Sequence, residues 1–158
     1  MIKKIIKNQD EMAKLAKKMA QIVQIGDVVT LKGTLGAGKS FFARNFINSL
    51  SEKPQEVLSP TFNLVYSYET EKGEISHFDL YRLKNAHELE NIGFFDALRN
   101  GICLIEWPEI AEKYLKKNYF EIAISFDGKL QNDSEENEVR IVEIKTDKED
   151  LYKSPYFE

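Results

Sequence analysis

Apolar residues recur at helical spacing in two stretches of the chain. Between residues 8 and 23 they fall on one helical face, which comprises Met12, Leu15, Ala16, Met19, Ile22 and Val23. Asn8, with Glu11 three residues later, resembles a capping box and marks the predicted start of this helix. Residues 41–50 predict a second helix, whose buried side carries Phe42, Phe46, Ile47 and Leu50.

Other segments have the patterns of strands. Residues 102–105 are continuously apolar, which is typical of a central strand covered on both faces. Alternation over residues 62–68 predicts a half-buried strand, and a turn at residues 71–74 then returns the chain antiparallel through residues 75–79. Further strands are predicted at residues 2–7, 27–32, 120–124 and 139–145, and short helices at residues 86–92, at residues 94–100 and after Pro108.

Composition narrows the class of protein. A chain of 158 residues is the size of one ordinary domain. Its net charge of −4 argues against binding nucleic acid by general electrostatic attraction, because that mode needs a basic face. The single cysteine, Cys103, lies in an apolar run and is expected to be a buried, unreactive thiol. No apolar stretch approaches the ~20 residues that span a bilayer, so we expect a cytoplasmic protein with no membrane contact.

A glycine-rich loop carries the strongest chemical signal. Residues 33–40 read Gly-Thr-Leu-Gly-Ala-Gly-Lys-Ser and match the phosphate-binding pattern G-x-x-x-x-G-K-[S/T] at every fixed position. The glycines let successive N–H groups point inward around an anion. Lys39 supplies a cation for the β- and γ-phosphates, and the Ser40 hydroxyl is placed to bind Mg²⁺. The predicted strand before the loop and the predicted helix after it are the flanks that this motif requires.

These elements predict an α/β fold. Helices alternate with buried strands, so we expect a three-layer P-loop NTPase-like domain with a mixed, mainly parallel sheet and one antiparallel hairpin. The domain would span residues 1–146, with a polar acidic loop at residues 127–138, and residues 147–158 form an unassigned tail. The active face is expected at the carboxyl ends of the strands.

A phosphate loop needs a nearby acid to organise Mg²⁺, and two acids compete for this role. Glu106 ends the most hydrophobic strand, whereas Asp79 ends a strand that is less plainly central. We assign Glu106 to the metal, directly or through water, and Asp79 to orienting or deprotonating the attacking water. Helix capping or a salt bridge is the alternative for Asp79. A structural role suits Glu106 less well, because an unpaired buried charge is costly.

Other candidates have weaker signals. Thr61 follows a Ser-Pro turn where nucleotide switches place a hydroxyl near Mg²⁺ or the γ-phosphate, although it could equally begin a strand. Trp107 could belong to the core or cover the site. His77 and His87 lack metal-ligand spacing and are expected to be solvated or in the core. Arg82, Arg99 and Arg140 are candidates for phosphate or partner contacts, or for surface salt bridges.

Four motifs together resemble the bacterial TsaE (YjeE) family. They are residues 33–40, then Ser-Pro-Thr-Phe at 59–62, then His-Phe-Asp-Leu-Tyr-Arg-Leu at 77–83, then Ile-Glu-Trp-Pro-Glu at 105–109. Order and spacing agree across about two thirds of the chain, and the match fades after Asp127. The resemblance implies an ATPase that works with the proteins TsaB and TsaD in forming threonylcarbamoyladenosine at adenosine 37 of tRNAs that read codons beginning with A.

The resemblance also implies which residues bind ATP and Mg²⁺. In the family the phosphate loop binds ATP, the loop hydroxyl and the Glu of the E-W motif hold Mg²⁺, and the Asp of H-F-D-L-Y is proposed for hydrolysis. These roles fall on Ser40, Glu106 and Asp79. The residues expected to contact ATP are Gly33, Leu35, Gly36, Ala37, Gly38, Lys39, Ser40, Phe41 and Thr61, with Asn8 near the adenine.

Three classes of function fit these residues. The leading hypothesis is a slow Mg²⁺-dependent ATPase whose hydrolysis resets the TsaB–TsaD complex, with tRNA contacted at most indirectly through that complex. A small-metabolite kinase on the same fold is the alternative. The third is a nucleotide-dependent binding module in which Glu106 and Asp79 only organise bound ATP.

Overall fold

The computed structural model describes residues 1–127 and 139–148, and within them the predicted strands join one seven-stranded sheet. In chain order the strands are β1 (Ile2–Ile6), β2 (Val28–Lys32), β3 (Val65–Thr70), β4 (Gly73–Asp79), β5 (Ile102–Glu106), β6 (Phe120–Phe126) and β7 (Arg140–Lys145). The helices are α1 (Gln9–Ile22), α2 (Lys39–Ser49), α3 (Glu88–Asn91) and α4 (Phe94–Asn100). The acidic loop and most of the tail lie outside the described residues.

The centre of the sheet is parallel. The strand order is β1-β7-β6-β2-β5-β4-β3, and the pairs β6–β2, β2–β5 and β5–β4 are parallel. This arrangement confirms the predicted α/β class and the β3–β4 hairpin. The described residues also contain two antiparallel pairs beyond that hairpin, β6–β7 and β1–β7, at the opposite edge of the sheet. Pairing order cannot be read from strand patterns alone, because periodicity reports burial and not neighbours.

Alternating side chains build an apolar cluster on each face of the central strands. On β5, Ile102 and Leu104 join the cluster under α1 and α2, while Cys103 and Ile105 join the cluster under α3 and α4. The sheet is therefore the middle of three layers, as predicted. Burial raises the pKa of the Cys103 thiol to about 12, so this cysteine is the unreactive core residue that the sequence predicts.

The first hairpin strand begins later than predicted. β3 starts at Val65, and residues 61–63 form a turn closed by a hydrogen bond from Leu64 N–H to Pro60 O at 2.6 Å. Leu64 has a φ of 67°, in the left-handed region, which interrupts an extended backbone there. Phe62, which the alternation assigns to the strand, is 84% exposed.

The helix predicted after Pro108 is also different. Residues 108–114 form two 3₁₀ helices, Pro108–Ile110 and Glu112–Tyr114, closed by bonds such as Ala111 N–H to Pro108 O at 2.8 Å. The apolar residues of this segment still pack into the α3/α4 cluster. A spacing of three residues fits a 3₁₀ helix as well as an α-helix, which explains the difference.

The first strand and the start of the first helix agree with the prediction. β1 is an edge strand, and its exposed Lys3 discourages pairing with another sheet edge. Asn8 caps α1, because its side-chain oxygen accepts a hydrogen bond from Glu11 N–H at 2.9 Å. Among the described residues no helix is long and apolar enough to cross a membrane.

The carboxyl end of α1 is closed by a lysine from the β3–β4 turn. Lys72 Nζ donates to the carbonyls of Ala20, Gln21 and Val23 at 2.9, 2.7 and 2.8 Å. A cation at this end satisfies free carbonyls and complements the helix dipole. The contact therefore ties the hairpin to the helical layer.

We expect Lys72→Met to lower the free energy of unfolding by about 1–2 kcal/mol, because three helix carbonyls lose a charged donor. Urea denaturation followed by circular dichroism measures this loss. Lys17→Met is the matched control, since Lys17 is an exposed α1 residue whose side chain forms no hydrogen bond within the described part of the chain, and it should change stability by less than about 0.5 kcal/mol. Equal effects of the two variants would refute the capping role.

Candidate nucleotide site

An open cleft of about 380 Å³ lies at the carboxyl ends of the parallel strands. The loop between β2 and α2 forms its floor, and the ends of β4 and β5 form one wall. Its lining residues are Gln9, Met12, Leu35, Gly36, Ala37, Gly38, Lys39, Ser40, Phe41, Ser59, Thr61, Asp79, Glu106, Trp107 and Arg140. The volume lies within the range of small-molecule sites.

The floor of the cleft has the backbone shape of an anion site. Gly36 and Gly38 have φ values of 78° and 114°, a region that side chains disfavour. Gly38 is the residue from which α2 starts, so the first N–H groups of that helix face the cleft. Close packing constrains Gly33, because a Cβ there would lie 2.6 Å from the carbonyl oxygen of Ile124 on β6.

Lys39 is buried at the floor and bonded to its own loop. Its Nζ donates to Gly33 O and to Thr34 O, the latter at 3.1 Å, and lies 4.1 Å from the centre of the Trp107 ring. Burial lowers the pKa of Lys39, while the carboxylates of Glu106, Asp79 and Glu109 oppose that shift. The two carbonyls hold the Lys39 ammonium group at the loop. An anion bound in the loop could replace these carbonyls as the hydrogen-bond partner of Lys39.

Ser40 and Glu106 form an oxygen-rich pair beside the loop. Ser40 Oγ lies 3.1 Å from Glu106 Oε1 and 3.3 Å from Oε2. Glu106 is 2% exposed, and its Oε2 also lies 2.6 Å from Nε2 of the buried His77. A hydroxyl and a carboxylate are donors that suit Mg²⁺, which usually takes one or two protein ligands together with phosphate oxygens and water. No group of three acidic, His or Cys side chains that could hold a metal occurs in the described residues.

Asp79 lies next to this pair. It stands directly opposite Glu106 in the β4–β5 register, so both carboxylates emerge on the same face of the sheet. Asp79 Oδ2 accepts from Thr61 Oγ1 at 3.1 Å, and Oδ1 accepts from Tyr81 N–H at 3.1 Å. The Oγ1 of Thr61 is also 2.9 Å from Ser59 Oγ. The connection before β3 is thereby joined to the end of β4.

The structure brings most of the predicted site residues to this cleft. Leu35, Gly36, Ala37, Gly38, Lys39, Ser40, Phe41, Thr61, Asp79 and Glu106 line it. Gly33 lies behind the lining and contributes the carbonyl that Lys39 contacts. Asn8 does not line the cleft, because its side chain caps α1, and the next residue, Gln9, lines it instead.

Sequence reasoning missed the role of His77. The sequence predicts a core or solvated residue, and His77 is indeed 1% exposed, but it contacts the candidate metal carboxylate. Its position two residues before Asp79 on a strand, which puts both side chains on one face, was the available signal. Arg140 was one of three candidate arginines, and it alone among them lines the cleft. Its Nε is buried beside Gly38 and has no hydrogen-bond partner in the described residues.

The sequence allows Trp107 either a position in the core or a position covering the site. In the structure Trp107 lines the cleft. It has a φ of 53°, which is strained for a residue with a side chain. Its ring contacts Tyr81 at 4.8 Å between centroids as well as Lys39. This backbone turn directs the chain away from β5 immediately after Glu106.

Comparison with protein families identifies a match over most of the chain. The model of the family described as "Threonylcarbamoyl adenosine biosynthesis protein TsaE" matches residues 6–137. This range includes the loop, Asp79 and Glu106, and ends before β7.

Individual relatives agree with that match. Proteins named tRNA threonylcarbamoyladenosine biosynthesis protein TsaE are 43% identical in Rickettsia felis, over 75% of this chain and 69% of the relative, and 34% identical in Bacillus subtilis, over 77% and 75%. The Aquifex aeolicus protein of that name is 42% identical over 66% of this chain and 75% of its own. Among solved structures, the crystal structure of Bacillus subtilis YdiB is similar with a TM-score of 0.66 and 28% identity, covering 92% of this chain and 84% of that one.

The loop geometry generates a prediction about two of its glycines. Gly33→Ala should lower the free energy of unfolding by about 1–3 kcal/mol more than Gly36→Ala does, because only at Gly33 would the added Cβ meet a backbone oxygen, that of Ile124. Both residues have positive φ, but the 78° of Gly36 lies closer to the left-handed region that residues with a side chain can adopt than the 156° of Gly33 does, so backbone strain adds to the expected difference. Chemical denaturation of the two variants measures the difference, and equal losses would contradict the close packing of the loop on β6.

Proposed function

The chain belongs to the TsaE family, whose members act in tRNA threonylcarbamoyladenosine biosynthesis, and on this premise we propose that it is a weak Mg²⁺-dependent ATPase. In this proposal it serves the modification of adenosine 37 in tRNAs that read codons beginning with A. Hydrolysis resets the complex of TsaB and TsaD, in the cytoplasm where tRNA matures. The observation that carries the proposal is the convergence of Lys39, Ser40, Asp79 and Glu106 on one phosphate loop.

The phosphate loop would bind the triphosphate of ATP. Inward-facing N–H groups and the start of α2 offer donors to the phosphates, and Lys39 would exchange the carbonyls of Gly33 and Thr34 for phosphate oxygens. Ser40 and Glu106 would hold Mg²⁺, since their oxygens already converge. Mg²⁺ held by these residues would supply positive charge against the phosphate oxygens.

Asp79 would act on the attacking water. Its carboxylate is held by Thr61 Oγ1 and Tyr81 N–H, so it is oriented in the cleft before any ligand arrives. An aspartate in such a position can orient water or accept its proton. Thr61 gives this function a connection to the surface, because its neighbour Phe62 is exposed.

Surface features support dependence on protein partners. Leu35, which lines the cleft, is 75% exposed, and Phe62, the residue after the lining residue Thr61, is 84% exposed. Leu58, which precedes the lining residue Ser59, and Tyr81, whose ring contacts Trp107, are also exposed. Exposed aromatic residues near a site are typical of contacts with another protein. The net charge of −4 gives no general attraction for tRNA, so we propose that tRNA is contacted at most through the complex. No membrane contact is part of the proposal.

Two variants separate binding from hydrolysis. Lys39→Ala should weaken ATP binding by about 10- to 100-fold, because a buried charged donor to the phosphates is lost. Asp79→Asn should retain ATP affinity within about threefold and lower turnover by about 100-fold or more, since the side-chain volume is kept and the base is lost. Calorimetric titration with a non-hydrolysable ATP analogue measures affinity, and phosphate release measures turnover.

The outcome distinguishes the three classes of function. Wild-type turnover that rises with TsaB, TsaD and tRNA supports the ATPase. Full tRNA modification by Asp79→Asn would instead favour a binding module without meaningful hydrolysis. ATP-dependent phosphorylation of a small alcohol or nucleoside would favour the kinase alternative, and unchanged ATP binding by Lys39→Ala would mean that the phosphates bind elsewhere.

Phe62 provides the test of the partner surface. Phe62→Ser should weaken binding to the TsaB–TsaD complex by about 10- to 100-fold, because exposed aromatic side chains are enriched at interfaces and a few such residues commonly carry most of the binding energy. Ile25→Ser is the matched control, since Ile25 is 56% exposed but precedes β2, at the end of the sheet away from the cleft. Pull-down or calorimetry measures the two affinities. A larger loss for Ile25→Ser would place the interface at the opposite end.

A further inference from the structure

His77 lies beneath the candidate metal site and contacts it directly. It stands on β4 two residues before Asp79, is 1% exposed, and its Nε2 lies 2.6 Å from Glu106 Oε2. An ionised carboxylate only accepts hydrogen bonds, so a hydrogen bond between these two atoms requires the proton to be on Nε2. Both residues are almost fully buried, with His77 1% exposed and Glu106 2% exposed at the base of the cleft that it lines.

The second nitrogen of His77 shows that this contact is not simply good packing. Nδ1 is buried and has no hydrogen-bond partner among the described residues. An unpaired buried polar atom costs free energy that an apolar ring of similar size would not. The contact with Glu106 is the one feature of the described residues that gives the imidazole a use at this position.

The contact constrains the orientation of the Glu106 carboxylate. The terminal torsion of a glutamate is broad, so an isolated carboxylate would rotate freely. The bond from His77 holds Oε2 on one side, and Ser40 Oγ lies 3.1 Å from Oε1 and 3.3 Å from Oε2, so the carboxylate is held between His77 and the loop hydroxyl. Ser40 follows Lys39 in the phosphate loop, so this orientation aims a carboxylate oxygen at the place where a loop-bound cation would lie.

We propose that His77 is a positioning residue that holds Glu106 in the orientation needed to bind Mg²⁺ together with nucleotide. This inference rests on the proposed function of the same cleft. Hydrogen bonds to ligating side chains typically change metal affinity or activity by about 10- to 100-fold. The role of His77 is therefore in metal affinity rather than in contact with the nucleotide, because it does not line the cleft.

The test measures Mg²⁺ binding through Trp107, the only tryptophan of the chain, which lines the cleft. Its fluorescence is titrated with ADP, which is not turned over, first without metal and then at increasing Mg²⁺. His77→Phe should raise the Mg²⁺ concentration for half-maximal response by about 10- to 100-fold, while metal-free ADP affinity stays within about twofold. His77→Gln, which retains a donor near the position of Nε2, should recover most of the response.

Ser76→Ala is the matched control. Ser76 is the preceding residue of β4 and is also buried, at 5% exposed, but its side chain lies on the other face of the sheet, where it pairs with Cys103. It should leave the Mg²⁺ response unchanged. A wild-type response in His77→Phe, or an equal loss in Ser76→Ala, would overturn the proposal, because the effect would then belong to packing of the strand.

Nitrogen NMR of the wild-type protein keeps the proposal falsifiable if the His77 variants do not fold. The chain has two histidines, and His87→Gln assigns the signals. A protonated Nε2 on His77 supports the proposal, and a bare Nε2 overturns it. A wild-type protein that gives no response to ADP would refute the nucleotide site itself. A response to ADP that is independent of Mg²⁺ would refute the metal site and this inference, but not nucleotide binding.

Discussion

The parallel pairing of β5 with β2 on one side and β4 on the other is the constraint on which the site depends. This pairing brings the loop that follows Lys32, the end of β5 at Glu106 and the end of β4 at Asp79 to one edge of the sheet. Buried apolar residues on both faces of β5 hold the register, because a slip of one residue would turn each side chain to the other cluster. The packing of the core therefore positions the side chains of the candidate site.

Polar groups beneath the cleft are arranged so that buried charge is compensated. The Glu106 carboxylate contacts Ser40 and His77 and, at longer range, interacts with the Lys39 ammonium. Lys39 in turn is held by carbonyls of its own loop. A buried carboxylate without such partners would cost several kcal/mol, on the order expected for an uncompensated ion. The Glu106 carboxylate and the Lys39 ammonium could exchange these contacts for contacts with a more strongly charged ligand.

The segment before β3 connects this interior to the surface. Thr61 contacts Asp79 in the cleft, while the adjacent Phe62 is exposed to solvent. The guanidinium carbon of Arg82 lies 5.6 Å from the centre of the Phe62 ring. Under the proposed function, a partner that binds Phe62 would act on the backbone that carries Thr61. Short loops of this kind commonly couple the state of a nucleotide to a protein surface.

The sequence by itself determined the fold class, the phosphate loop and most element types, because burial periodicity and glycine spacing are local properties of the chain. It also selected Lys39, Ser40, Asp79 and Glu106, since loop motifs and strand ends can be recognised without knowing which strands are neighbours. Only the tertiary structure decided that β6–β7 and β1–β7 pair antiparallel, that Phe62 is exposed, that Arg140 lines the cleft, and that His77 contacts Glu106 beneath it. These features depend on which distant segments meet, and a linear pattern reports that a residue is buried but not what lies against it.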